Sequence, residues 1–209
     1  MMHHFKKIIL VFPLIFSITL LGQYKINIIY ESGLEFESQQ LLIRKLRNSE
    51  SRKEIENHIK SQDWIQEYAL IFKPFKKEIY LNIKNRKPVF VLNNEFFYDK
   101  DLHPFKYDLS RRDLIVAEGP IDKPETILQL IEEIESISNV QFKIREINYS
   151  YVNGWDVVSD KTLIRFGNDL SEKRFKNFKD TSNYLLDIGK IPSIIDMRYK
   201  DGVALNYGK

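Results

Sequence analysis

The chain has 209 residues, 32 Lys+Arg against 29 Asp+Glu for a formal charge of +3, and no cysteine. That length holds one or two modest domains, and 43% hydrophobic content with only eight glycines and seven prolines excludes disorder or low complexity as the main state. The absent cysteines exclude disulfides, thiolate metal sites, iron–sulfur ligation and a cysteine nucleophile, and the small charge, spread along the chain, argues against a nucleic-acid binder.

Residues Ile8–Leu21 (IILVFPLIFSITLL) form an uncharged run behind Lys6 and Lys7. Extended to Tyr24, the run spans roughly 25 Å as a helix, the short end of a membrane crossing. The lysine stems snorkel, Tyr24 suits the interface, and Pro13 is tolerated as a kink. A cleaved signal peptide is the rival, since its apolar core has this length. Leu20 and Leu21, however, stand where a cleavage site needs small residues, and Gln23 stands where a lipoprotein signal has its acylated cysteine. The pattern therefore predicts a short tail at 1–7 and an anchor at 8–24. The positive end stays in the cytoplasm and the residues beyond the anchor are exported.

Beyond the anchor, Ile26, Ile28 and Tyr30 alternate with Lys25 and Asn27, a strand that stops at Gly33. Helices come next at Phe36–Arg47, with Leu42, Ile43 and Leu46 apolar, and at Ser51–Ser61, where Ile55 and Ile59 are four apart. Ser51-x-x-Glu54 opens the second as a capping box. A strand at Ile65–Lys73, a turn around Pro74 and a strand carrying Ile79, Leu81 and Ile83 complete a β-α-α-β-β unit at 25–92. Pro88 marks the junction with a second, strand-rich unit at 93–209, and no internal repeat is visible.

In that second unit Glu125–Ile137 places Leu128, Ile131 and Ile134 on one helical stripe. The strand Phe142–Val152 should turn through Asn153-Gly154 as a two-residue hairpin into Trp155–Ser159, then through Asp160-Lys161 into Thr162–Gly167. Asp169-x-x-Glu172 caps a helix with Phe175, Phe178, Ser182 and Leu185 on one face. Ile194–Tyr199 then turns through Lys200-Asp201-Gly202 into Val203–Tyr207. This closing hairpin belongs at or near a sheet edge.

No catalytic constellation stands out. His3, His4, His58 and His103 lack spaced partners and read as surface groups. There is no Gly-x-Ser-x-Gly, phosphate-binding loop or His-Glu-x-x-His. Glu132-Glu133-x-Glu135 wraps around a helix as a solvated face, and Trp64 and Trp155 read as core. The basic runs Lys73–Lys77 and Lys84–Lys87 suit anionic lipid head groups or an acidic partner, or serve solubility alone. The chain thus reads as a binding protein without cofactor or metal. Its closing hairpin supplies the means, because an edge strand exposes N–H and C=O groups that a partner segment can pair.

Several short stretches, in order, carry a resemblance. They are Asp63-Trp64-Ile65, Arg86-x-Pro88-Val89, Phe97-Tyr98-Asp99, Gly154-Trp155, Leu163-x-x-x-Gly167, Lys173-Arg174-Phe175, and the run from Ile195 to Leu205 (IDMRYKDGVAL). Together they resemble the bacterial cell-division proteins FtsQ/DivIB, the last stretch looking like the family's hydrophobic-Asp-hydrophobic-Arg-Tyr-x-x-Gly-x-Ala signature. Asn85 departs from the family's usual Glu, Asp99 lacks the glycine that commonly comes three residues later, Leu114–Gly119 fits its counterpart loosely, and the tail is short.

The resemblance implies an α+β fold with an N-terminal single transmembrane helix, a POTRA-like β-α-α-β-β domain and a C-terminal mixed β-domain with two helices. It also implies a non-enzymatic scaffold of the inner (cytoplasmic) membrane at the division septum, its domains periplasmic, linking early and late division proteins. The implied partners are FtsB- and FtsL-type proteins at the C-terminal strand and other divisome components at the POTRA-like domain, with the membrane held by the N-terminal helix and no nucleic acid. The implied contacts are Arg198, Tyr199, Asp201, Gly202, Val203, Ala204, Leu205 and Tyr207, the last where members often carry Trp. The rival expectations are a POTRA-bearing envelope adaptor or transport accessory unrelated to division, and an exported wall enzyme with convergent acidic or nucleophilic groups in a cleft.

Overall fold

In the computed structural model of the chain, residues 24–31, 37–106, 113–137, 142–200 and 202–208 are described. The expected anchor at 8–24 lies outside them except for Tyr24, and no helix among the described residues is long and apolar enough to cross a membrane. Among the described residues four α-helices and two sheets make a mixed α+β fold.

The N-terminal elements keep the expected order: β1 (Lys25–Tyr30), α1 (Glu37–Arg47), α2 (Arg52–Lys60), β2 (Ile65–Lys73) and β3 (Glu78–Asn85). Central β3 runs parallel to β1 and antiparallel to β2. A parallel pair needs a crossover, and α1 and α2 supply it. The alternation in β3 sends Ile79, Leu81 and Ile83 into a core with Leu42, Leu46, Ile55 and Ile59 of the helices, all fully buried. The Ser51 hydroxyl accepts from the Glu54 N–H (3.2 Å) as a capping box requires. The Glu54 carboxylate, however, takes the N–H of Glu50 (2.9 Å).

The second sheet is built from β4 (Pro88–Leu92), β5 (Phe96–Asp99), β6 (Pro104–Lys106), β7 (Ile115–Glu118), α3 (Pro124–Ile137), β8 (Ile144–Ser150), β9 (Gly154–Ser159), β10 (Leu163–Gly167), α4 (Glu172–Asp187), β11 (Ile194–Asp196) and β12 (Ala204–Asn206). Its nine strands run β12-β11-β10-β9-β8-β7-β4-β5-β6. Parallel pairs β7–β8 and β10–β11 are bridged by α3 and α4, whose buried Leu130, Ile134, Phe175, Phe178 and Leu185 share one core with the sheet. On α3 the buried stripe is Ile127, Leu130, Ile131 and Ile134, so the expected Leu128 sits at its margin.

The chain changes sheet between Asn85 and Pro88, beside the junction expected at Pro88, so that β4, placed within the first unit at 25–92, pairs in the second sheet. The Arg86 N–H bonds Trp64 C=O (2.9 Å) and Pro88 has no N–H, so the β3 ladder ends there. No linker separates the two sheets. Val91, Phe97 and Phe105 of the second sheet, opposite one another in register, belong to the core of the first. Arg86 fastens this joint, its Nη1 donating to Asp99 Oδ2 (2.9 Å) and its Nε to Asp63 C=O (3.0 Å). Burial alone would raise the Asp99 carboxyl. Bonds from the His103 N–H, Arg86 and the Asp101 N–H outweigh burial and hold it below the usual range.

Two local expectations are corrected. The β8–β9 loop is three residues, Tyr151-Val152-Asn153, because Ser150 pairs with Gly154, and of the Asn-Gly dipeptide only Gly154 has a positive φ (72°). A two-residue turn of the expected type needs both. The N-cap of α4 is Ser171, not Asp169, whose carboxylate instead accepts the Ser171 N–H (2.9 Å) and Arg174 Nη2 (3.1 Å).

Candidate partner interface

Strand β12 is the terminal member of the nine-stranded sheet, antiparallel to β11, with no strand beyond it among the described residues. Its outward rim is set by the register. Leu163 N–H bonds Ser193 C=O and Met197 N–H bonds Arg165 C=O, so odd-numbered residues of β11 face β10. Even-numbered residues therefore face β12, making Ile194–Asn206 and Asp196–Ala204 the hydrogen-bonded pairs. The Asn206 C=O does face β11, accepting both the N–H (2.8 Å) and the hydroxyl (3.0 Å) of Ser193, which precedes β11 and departs from its alternation. Leu205 then turns its N–H and C=O outward, away from the sheet, while its side chain packs against the core.

The expected contact residues divide by exposure. Tyr199 and Tyr207 are 58% and 48% exposed, and Gly202 and Ala204 are exposed as well. Val203 and Leu205 are half-buried against the core, so they offer the rim their backbone more than their side chains. Asp201 lies outside the described residues. The seven residues between β11 and β12 make a looser connection than a tight hairpin.

Arg198 is held in place on two sides. Its Nε and Nη2 grip Asp196 bidentately (2.9 and 2.6 Å), which keeps the buried Asp196 carboxyl below the usual range. Its stem lies over Gly167, where a Cβ would come within 3.0 Å of Arg198 Cγ. Gly167 in turn abuts Gly154: a Cβ on Gly154 would approach the Gly167 carbonyl carbon to 2.1 Å, so no side chain fits. The two glycines thus set the backbone on which Arg198 rests. Across the strands, Asp156, Arg165 and Asp196 stand opposite one another. Burial pushes the Asp156 carboxyl up, against the pull of Arg165 and Arg198, and Asp156 Oδ1 and Arg165 Nε are buried without hydrogen bonds.

Helix α4 lies beside this edge. Arg174 Nη1 donates to Tyr199 C=O (3.1 Å) and its Nη2 to Asp169, bracing the loop that leads to β12. Lys173, Asn177, Asp180 and Thr181 of α4 line an open cleft of ≈ 350 Å³ with Gly202 and Val203. A search of the sequence for buried residues passes over this helix face, although its spacing of four, three and one residues is visible there. Edge strand, cleft and exposed tyrosines together suit a partner that pairs its backbone with β12 and lays side chains along α4.

The other candidates are structural. Trp64 and Trp155 are buried in the cores. Asp99, Asp101 and His103 bring ligand atoms within 4.8 Å, but Asp99 is committed to Arg86 and two backbone N–H groups, so the trio closes the β5–β6 loop. His58 lies 3.7 Å from Glu54 on α2. His3 and His4 lie outside the described residues.

No family model matches the chain. Among curated proteins it is 27% identical over 147 residues to "Cell division protein FtsQ" of Neisseria meningitidis serogroup B and 26% identical over 147 residues to "Cell division protein FtsQ" of Neisseria gonorrhoeae. Each match covers 69% of this chain, and the matched stretch spans 62% and 60% of those proteins' own lengths. Over that stretch the chain is similar to these two cell-division proteins.

Proposed function

We propose that this FtsQ-like chain is a non-enzymatic scaffold of the bacterial division machinery that binds an FtsB/FtsL-type partner by strand addition at β12. The observation that carries the reading is the open rim of β12, with Leu205 N–H and C=O directed out of the sheet beside exposed Tyr199 and Tyr207. In this reading residues 8–24 anchor the chain in the cytoplasmic membrane, the two sheets stand on its outer side at the septum, and the β-α-α-β-β unit is a POTRA-like contact for further divisome proteins. Arg198, fixed by Asp196, and the α4 cleft select the partner.

The register decides which substitution tests strand addition. A proline at Ala204 removes an N–H that bonds β11, so it damages the chain's own ladder. A proline at Leu205 removes an outward N–H and leaves that ladder in place. With a synthetic FtsB-type peptide, Leu205→Pro should weaken binding at least tenfold, from a lost hydrogen bond of about 1 kcal/mol plus the bulk of the ring at the rim. Leu205→Ala, which keeps the N–H, controls for lost packing and should bind within a fewfold of the parent. Tyr199→Ala should also weaken binding with the fold retained. Equal affinity for the proline variant and the parent would refute strand addition at this edge.

A further inference from the structure

Of the two basic runs in the β-α-α-β-β unit, one is engaged within the fold: Lys84 pairs with Glu67 (3.2 Å) and Arg86 with Asp99. The other is not. Lys73, Lys76 and Lys77 make no ion pair among the described residues, and neither does Lys25. These four surround the tip of the β2–β3 hairpin, a single 3-10 turn at Pro74–Lys76 that carries Phe75 wholly exposed, with 103% relative exposure. A fully solvated phenylalanine ringed by lysines is unfavourable in water and well suited to a surface that is apolar just beneath an anionic layer.

The tip is tied to the first described residues of the chain. The Lys25 N–H donates to Lys77 C=O (2.9 Å), and Tyr24 packs edge-on to Phe72 with ring centroids 6.3 Å apart. Lys25, Glu78 and Lys73 form one cross-strand row. The carboxylate in that row, Glu78, accepts the Tyr80 hydroxyl (2.9 Å), and Lys73 Nζ lies 4.3 Å from the Tyr80 ring centroid. The end of the sheet that bears the tip is therefore the end where the chain arrives from residues 8–21, the uncharged apolar run. The joint to the second sheet is at the opposite end of β3, eight residues or roughly 26 Å away.

We propose that the β2–β3 hairpin tip is a second membrane contact, with Phe75 inserted at the interface and Lys25, Lys73, Lys76 and Lys77 on anionic phospholipid head groups. The inference rests on the reading of residues 8–24 as a membrane anchor. It adds a fixed orientation: with one point of attachment the sheets swivel, whereas a second, one residue beyond the anchor's end and across the sheet, points β3 away from the bilayer with the joint to the second sheet at its far end. The lysines carry the attraction electrostatically, so the contact weakens in high salt.

The test uses the full chain reconstituted in phosphatidylglycerol-rich vesicles containing a nitroxide-labelled lipid. Phe75→Trp should show blue-shifted emission quenched by the nitroxide above the background of Trp64 and Trp155. Tyr151→Trp, at an exposed loop of the second sheet, should not. Replacing Lys73, Lys76 and Lys77 by Gln should shift the contact equilibrium about fivefold per lysine, and pure phosphatidylcholine should abolish most of the quenching. A chain retained by vesicles through an alkaline wash, with Phe75→Trp unquenched, overturns the hairpin contact while leaving the anchor intact; a tip that binds an acidic protein instead gives this result. A chain released by the alkaline wash overturns the anchor and the hairpin's placement together.

Discussion

The Arg86–Asp99 pair offers a direct test of whether the two sheets act as one body. Arg86→Ala deletes a charge-assisted bond to a carboxylate whose side chain is only 6% exposed, and a second, solvent-exposed bond from the same guanidinium to Asp63 C=O. The first is worth about 2 kcal/mol and the second about 1, so the substitution should cost about 3 kcal/mol near neutral pH. Two N–H groups still bond Asp99, which keeps the loss short of the full penalty for an isolated buried charge. The pH dependence has a defined sign. The folded-state pKa of Asp99 is lowered, so its contribution is present above the unfolded value of about 3.9 and is lost as pH falls through the folded value. The gap between parent and Arg86→Ala should therefore narrow in acid. Urea unfolding monitored by Trp64 fluorescence suits the measurement, since Trp64 C=O accepts from the Arg86 N–H at the same joint. A cycle with Asp99→Asn should give a coupling of about 1–2 kcal/mol. A cost under about 1 kcal/mol, or a gap independent of pH, would refute this account of the joint.

The same geometry sets further outcomes. Gly154→Ala should prevent stable packing of β9 against β10 or cost several kcal/mol, because its Cβ would meet backbone at 2.1 Å; a thermal melt reads this. Phe178→Ala, at the centre of the core under α4, should cost about 3–5 kcal/mol in denaturant titration. Asp196→Asn should leave the fold intact while freeing Arg198, and should weaken an FtsB-type peptide in fluorescence anisotropy. Because the Asp196 carboxyl is held below the usual carboxylate range, the parent should lose its Arg198 geometry only at a pH below that at which an ordinary aspartate protonates.

Much of the fold was legible because amphipathic periods are strong in this chain. The alternation of Ile79, Leu81 and Ile83 and the helical face of Phe175, Phe178, Ser182 and Leu185 locate their buried sides without ambiguity. Pro88 was legible as the junction, but not that the strand 88–92 after it belongs to the second sheet, since apolar residues run on both sides of it. The Asn153-Gly154 turn misled because the dipeptide favours a geometry that the Ser150–Gly154 pairing overrides. At the partner edge, the strand pattern on either side of Lys200-Asp201-Gly202 made the last two strands legible. The outward rim at Leu205 was not, as parity within a ladder depends on which neighbour β11 satisfies with its odd residues. The cleft along α4 escaped because its residues are polar, which is how an ordinary solvated helix surface also reads.

Amide hydrogen exchange across residues 203–207, with and without an FtsB-type peptide, tests the central claim most directly. In the free chain the Leu205 amide should exchange fast while those of Ala204 and Asn206, bonded to β11, are slowed; on peptide addition Leu205 should become protected. A Leu205 amide already protected in the free chain, or unchanged when the peptide is bound, would contradict an open edge that accepts a partner strand.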